Sequence, residues 1–197
     1  MRYCDPAWSV PEISLTAPLE PFVVRDSHVC LRPWAVGDLS CVADAAADPF
    51  IPTLTTVPAE FTTASGLGFI ERQHARLRTG EGWALAIAEP HSDEAVGHIG
   101  LWLPQIRKGR AEIGYWIRPT ARGHGFAAAA LGLLSAWAFE HLTVHRLSLF
   151  IEPWNVASIR TAERADFTRE ALLEQWEVVG DEPKDMWCFV RLREVTN

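Results

Sequence analysis

The sequence predicts an α/β protein of the α+β kind, with a central, mixed but mostly antiparallel sheet of about seven strands flanked by helices. Three observations carry this. Apolar runs of strand length follow one another over residues 83–117 with only short polar turns between them, the mark of antiparallel neighbours. A single strand–helix–strand unit comes next, over residues 110–151, and requires one parallel crossover. Two more strand-like runs then close the chain across a polar turn.

Taken in order, residues 1–25 hold Pro6, Pro11, Pro18 and Pro21 with no sustained period and read as an irregular N-terminal arm; residues 26–197 form one domain. Residues 27–34 alternate, with Val29 and Leu31 on one face, as a first strand. Asp38 is placed to cap a helix over 38–47, followed by a loop punctuated by Pro49, Pro52 and Pro58. Thr62 or Thr63 starts a second helix through Phe69, Ile70, His74 and Leu77, ending at Gly80. Strands at 83–88 and 95–103 flank the turn 89–94, and 110–117 is the fourth strand. A helix from Phe126 to about His141 is apolar nearly all round, which predicts burial, and its alanines at 127–130 let it lie close to a sheet. Residues 147–151 are the fifth strand, Asn155 caps a short helix to about Ala165, and 174–179 pairs with 186–193 as a hairpin across 180–185.

A chain of 197 residues is one domain more readily than two, and burying roughly 70% of its unfolded surface needs neither disulfides nor metal. At 48% hydrophobic and 22% charged residues it is neither disordered nor fibrous. The net charge of −7 and scattered basic residues argue against nucleic-acid binding, since the one cluster is Arg107, Lys108 and Arg110. The same balance suits an amine-bearing substrate. No run approaches the ~18–20 apolar residues of a membrane span. The first fifteen residues lack a basic start and an apolar block, so the expected location is cytoplasmic, away from membranes. Cys4, Cys30, Cys41 and Cys188 form no CxxC and no metal spacing. Nine tryptophans provide either core or an aromatic wall.

The chemistry concentrates in two segments. In Arg122-Gly123-His124-Gly125-Phe126-Ala127, two glycines free the backbone and let a ligand approach it, and the loop opens a helix whose first N–H groups lack partners. That is an anion site suited to a phosphate or pyrophosphate; a plain turn before a buried helix is the structural alternative. No Lys follows as a Walker loop needs. Gly123, Gly125 and Ala128 fit a dinucleotide fingerprint, with Glu152 near the distance of a ribose-binding acid, but five residues separate Ile117 from Gly123 and only one βαβ unit exists.

Residues 111–117 (AEIGYWI), the loop with Arg122, Gly125 and Ala127, and the later segment containing Pro153, Asn155, Ser158, Arg160, Glu163, Phe167 and Glu170 resemble the GNAT superfamily of acyl-CoA-dependent N-acyltransferases. The later segment resembles the RimJ/RimL-type branch, whose enzymes acetylate N-terminal amines of ribosomal proteins or amines of small molecules. The resemblance covers residues 26–193 and is sharpest over 112–170. Departures are Asp166 and Ala171 where Gly is usual or frequent, and Ala129 in place of a frequent Glu; Asp tolerates the left-handed turn expected at 166.

The resemblance implies a GNAT fold whose fourth and fifth strands splay around acyl-CoA. Arg122, Gly123, His124, Gly125, Phe126 and Ala127 then hold the pyrophosphate, and Ile117 and Asn155 hold pantetheine. Acetyl-CoA, or another acyl-CoA such as succinyl-CoA, is the co-substrate, with no metal. The acceptor is a primary amine of a peptide N-terminus or small molecule, and a homodimer is compatible. Direct transfer needs a route for the amine proton, donors for the oxyanion and a hydrogen bond for the leaving sulfur. Ser158, one turn into its helix, is placed to face the sulfur or to bond back to that helix. Glu112 shares its pleat face with Gly114 and Trp116 and is either the proton acceptor or an exposed partner of Arg110. Asn155 serves as helix cap, pantetheine ligand or both. His98 lies on the same strand face as Trp102, in the acceptor pocket or in the core. His141 and His145 lack the HExxH context of a metal site, and no Cys has a His partner motif for a covalent intermediate. The alternative class is a CoA-responsive binding module without turnover.

Overall fold

The structure, a computed structural model, describes residues 19–194. One sheet of eight strands runs in the order β1-β2-β3-β4-β5-β6-β8-β7. The strands are β1 (Val24–Arg25), β2 (Cys30–Pro33), β3 (Gly82–Ala88), β4 (Ala95–Trp102), β5 (Arg110–Ile117), β6 (Arg146–Ile151), β7 (Thr168–Val179) and β8 (Glu182–Leu192). The helices are α1 (Leu39–Ala46), α2 (Ile51–Leu54), α3 (Thr63–Arg78), α4 (Phe126–His141) and α5 (Val156–Arg164). Only β5 and β6 pair in parallel, because α4 carries the chain back between them.

Strand alternation divides the core. Leu85, Ile87, Ile99, Leu101 and Ile113 pack with Leu131, Leu134 and Ala138 of α4 on one face. On the other, Trp34, Phe69, Ile70 and Trp116 pack with Cys41 and Val42 of α1. His98 belongs to this second layer. Its Nδ1 accepts from the Trp34 indole at 3.2 Å, and its ring stacks on Trp116. Burial, with some help from Arg76, pushes its pKa down to about 3, so it is a neutral core histidine.

The strand count is eight instead of about seven because Val24 and Arg25 pair with Leu31 and Cys30. Two residues are too few to show a period; the turn between is held by the Asp26 carboxylate, which accepts from the N–H groups of His28 and Val29. Residues 1–18 of the expected arm lie outside the described residues. Asp38 does not cap α1. Its carboxylate accepts from Ala35 N–H and from two nitrogens of Arg32, a charge-assisted fork stronger than a local cap. The Pro-punctuated loop contains the short α2. The closing hairpin is longer than its apolar pattern: β7 and β8 turn at residues 180–181 alone, with Gly180 at φ 63°. As an edge strand exposed along most of its length, β7 has no buried face to write an alternation into its sequence. Asp166 adopts φ 62° beyond α5, the left-handed turn expected there. No helix among the described residues is long and apolar enough to cross a membrane.

Candidate active site

The predicted splay is present. β5 and β6 pair at three positions, ending at Glu112 with Ser148. Beyond them β5 stays with β4 as far as Ile117, and β6 stays with β8 as far as Ile151. The strands therefore part, leaving the backbone of residues 113–117 without a strand on its β6 side.

At the open end lies the glycine loop. Gly123 and Gly125 hold φ of 85° and 81°, and a Cβ built on either meets nothing within 4 Å, so space stands over both. Gly125 precedes α4, and no side chain caps that helix. Its first-turn N–H groups, including those of Phe126 and Ala127, thus form the partly positive end of a sixteen-residue helix. This fits a pyrophosphate held by backbone, with the His124 ring turned to the Ala121 carbonyl. The Arg122 side chain is already engaged: its Nη2 lies 2.7 Å from Asp48 and its Nε donates to the Ile117 carbonyl. Burial pushes the Asp48 pKa up, but hydrogen bonds from Ile51 and Phe50 N–H and from Arg122 outweigh it and hold the carboxyl below its usual range. Arg122 consequently ties the glycine loop to the segment ahead of α2.

Asn155 caps α5, its side-chain oxygen accepting from Ser158 N–H at 3.1 Å; the amide nitrogen is what remains for pantetheine. Ser158 is met by a residue the sequence reading had not singled out. Tyr115, from the splayed end of β5, donates its phenol to Ser158 Oγ at 3.1 Å. Burial raises the Tyr115 pKa, against hydrogen bonds with Ser158 and Thr161, so the phenol stays protonated. With Oγ accepting from Tyr115, the serine's own hydrogen is free to point elsewhere. The available signal was alternation: Tyr115 falls on the face of β5 opposite Glu112 and Trp116.

Glu112 lies at the vertex of the splay, half-buried, on the face away from α4. It lines a cavity of about 210 Å³ with Ser148, Phe150, Glu170, Leu173 and Trp176. Burial and the charge of Glu177 raise its pKa. Glu177 is itself raised, by crowding from the surrounding protein and by Glu152, although its outer side is open to solvent. The exposed-partner reading of Glu112 with Arg110 finds no ion pair among the described residues. The splay thus has a bare, partly positive helix end, a hydroxyl pair on one face of the sheet and a carboxylate with elevated proton affinity on the other.

Residues 28–168 match the Acetyltransferase (GNAT) domain family. The uncharacterized N-acetyltransferase p20 of Bacillus licheniformis is 25% identical over 166 residues, 84% of this chain and 93% of its own. Other Bacillus relatives match over 58% of their length. Among solved structures, Mycobacterium smegmatis RimJ in complex with CoA-disulfide has a TM-score of 0.70 at 20% identity, covering 88% of this chain and 86% of that one. The microcin C7 self-immunity acetyltransferase MccE, in complex with acetyl-CoA and AMP, has a TM-score of 0.74 at 19% identity, over 85% and 94% of the two chains. A family match over most of the chain, on a sheet that parts where the motifs lie, leads to one conclusion: this chain belongs to the GNAT family of acetyltransferases.

Proposed function

We propose that the protein transfers an acetyl group from acetyl-CoA directly to a primary amine of a peptide N-terminus or small molecule. The observation that carries this reading is the parting of β5 from β6 at Glu112, with the Tyr115–Ser158 pair and the Glu112 carboxylate on opposite faces of the gap. The bare start of α4 and residues 122–127 bind the pyrophosphate, while Asn155 and the open backbone near Ile117 bind pantetheine.

The amine nitrogen attacks the thioester carbonyl carbon, a C–N bond forms and the C–S bond breaks. Glu112 takes the proton the nitrogen sheds. Its raised proton affinity brings it nearer the pKa of an α-amine (~7.7–8) than an ordinary glutamate would be. Open N–H groups of β5 face the developing oxyanion, and Ser158 donates to the departing sulfur with its Oγ supported by Tyr115. Because the two proton routes lie on opposite sides of the sheet, acceptor and thiol enter and leave by different mouths.

Thiol release from acetyl-CoA and from succinyl-CoA, measured against a panel of amines with mass analysis of the products, tests the reading. Amine-dependent release with acetyl-CoA is the expected result. Acetyl-CoA binding without release for any amine would make the protein a CoA-responsive module instead.

A further inference from the structure

The charged side chains that line the cavity beside Glu112 are Arg110, Arg146, Glu112 and Glu170, and only two of them pair. Arg146 is forked onto Glu170, with one terminal nitrogen on each carboxylate oxygen. Arg110 makes no hydrogen bond or ion pair among the described residues, although its charge is felt at Glu170. It stands in register with Arg146 on the neighbouring strand, and two guanidinium groups side by side repel. An anion beside Arg110 would offset that repulsion. Arg107 and Lys108, exposed in the turn that leads into Arg110, add positive charge close by.

Arg110 and Glu112 are alternate residues of β5, so their Cα atoms are about 6.6 Å apart on one face of the sheet. The cavity thus carries an unpaired guanidinium at one point and a carboxylate two residues on. A second unpartnered group lies across from Glu112. Ser148, its register partner on β6, is only 8% exposed and lines the same cavity, yet its hydroxyl has no hydrogen-bond partner among the described residues. A buried hydroxyl left unpaired is costly, and this one opens onto space where a ligand can reach it. Phe150 and Trp176, with ring centroids 5.3 Å apart, supply an apolar wall of that space.

We propose that Arg110 is a specificity-determining residue that binds a carboxylate on the acceptor, so that the preferred acceptor carries an acid group a few bonds from its amine. An amino acid with a distant amine has that chemistry, and so does a peptide whose second residue is acidic. Glu112 and Ser148 hold the amine, the Arg110 guanidinium donates to the carboxylate, and Phe150 and Trp176 flank the chain between them. That this amine is the one acetylated rests on the acetyl-transfer reading; the carboxylate site does not.

Titration of the CoA-saturated protein at neutral pH, followed by NMR, tests the proposal by binding alone. Two pairs of compounds are compared, each matched in shape and differing in one negative charge: 6-aminohexanoate with 6-aminohexanamide, and the dipeptide amide of Ala-Asp with that of Ala-Asn. The acid member should bind about fivefold tighter in at least one pair, and the pair that shows it identifies the source as small amino acid or peptide. General attraction cannot produce this preference, because the protein's net charge of −7 opposes an anion. R110Q should abolish the preference and R110K should keep part of it. The R107Q/K108Q double variant, altered outside the cavity lining, should retain most of it. S148A should weaken both members of a pair alike. Equal affinities within both pairs, or a preference undiminished in R110Q, would overturn the proposal. A preference intact without any thiol release would sink the acetyl-transfer reading and leave the carboxylate site standing.

Discussion

Replacing Gly125 by Val probes the cofactor loop where geometry isolates the effect. Gly125 sits at φ 81°, ψ −1° immediately before α4, and an added Cβ meets no protein atom within 4 Å. The cost to the fold is therefore conformational, roughly 1–2 kcal/mol for a left-handed L-residue, which a domain with about 5–15 kcal/mol of stability survives. The cost to the ligand is larger. Valine methyls fill the space over the loop, and relaxing the backbone toward negative φ turns the N–H groups of residues 125–127 away from a phosphate. Losing one charge-assisted hydrogen bond of about 1.5–3 kcal/mol weakens acetyl-CoA binding roughly ten- to 150-fold. Gly180→Val is the control, since it imposes the same strain at φ 63° in the remote β7–β8 turn. Calorimetry with acetyl-CoA and thermal melts on both variants should show similar losses of Tm but a loss of affinity only at position 125. Wild-type affinity in Gly125→Val, or equal losses in both variants, would refute the assignment of the loop.

Ser158→Ala should lower kcat with little change in acetyl-CoA affinity, because a bond to sulfur strengthens only as charge develops; Tyr115→Phe should show a smaller loss of the same kind, and rapid-quench measurement of the chemical step checks both. Glu112→Gln should cut kcat/KM at neutral pH by about 10²-fold or more, the range for loss of a general base, and should recover in part as pH rises toward the amine's own pKa. Parallel pH profiles with a constant offset would reduce Glu112 to a positioning role. The same substitution should stabilise the fold. The native pKa of Glu112 lies above its unfolded value, so both proteins match below about pH 4.3, and wild type loses stability as pH rises through the native pKa. Melts should therefore diverge in favour of Glu112→Gln toward pH 7 and converge in acid; a constant gap would contradict the raised proton affinity.

Local signals were legible. The glycine loop needed a helix start and positive φ at Gly123 and Gly125, both of which stand in the structure, and Asn155 caps α5 as its residue type suggested. The four strands from β3 to β6 were readable because burial imposes a pattern on them. What escaped depends on partners distant in sequence. Asp38 reads locally as a cap, but Arg32 claims it, and Arg32 is itself shared with Asp93. The tie between Arg122 and Asp48 spans the sheet's connections and leaves no local mark. Glu177 falls within the closing hairpin with nothing local to single it out; only the pairing of distant strands brings its charge near Glu112. Tyr115 was hidden within a motif read for its loop, and its value lies in a hydrogen bond to a serine 43 positions away.

Direct transfer across the splay is the central claim, and a single turnover with acetyl-labelled acetyl-CoA tests it. Excess protein is mixed with the labelled compound, first without acceptor and then with an amine, and the label is followed in protein, thioester and amine after acid quench. The account predicts that without amine the label stays in the thioester, and that with amine it passes to nitrogen at the rate of thiol release, slowed in Ser158→Ala and Glu112→Gln alike. Label retained covalently on the protein before amine is added, or transfer at wild-type rate in both variants, would contradict it.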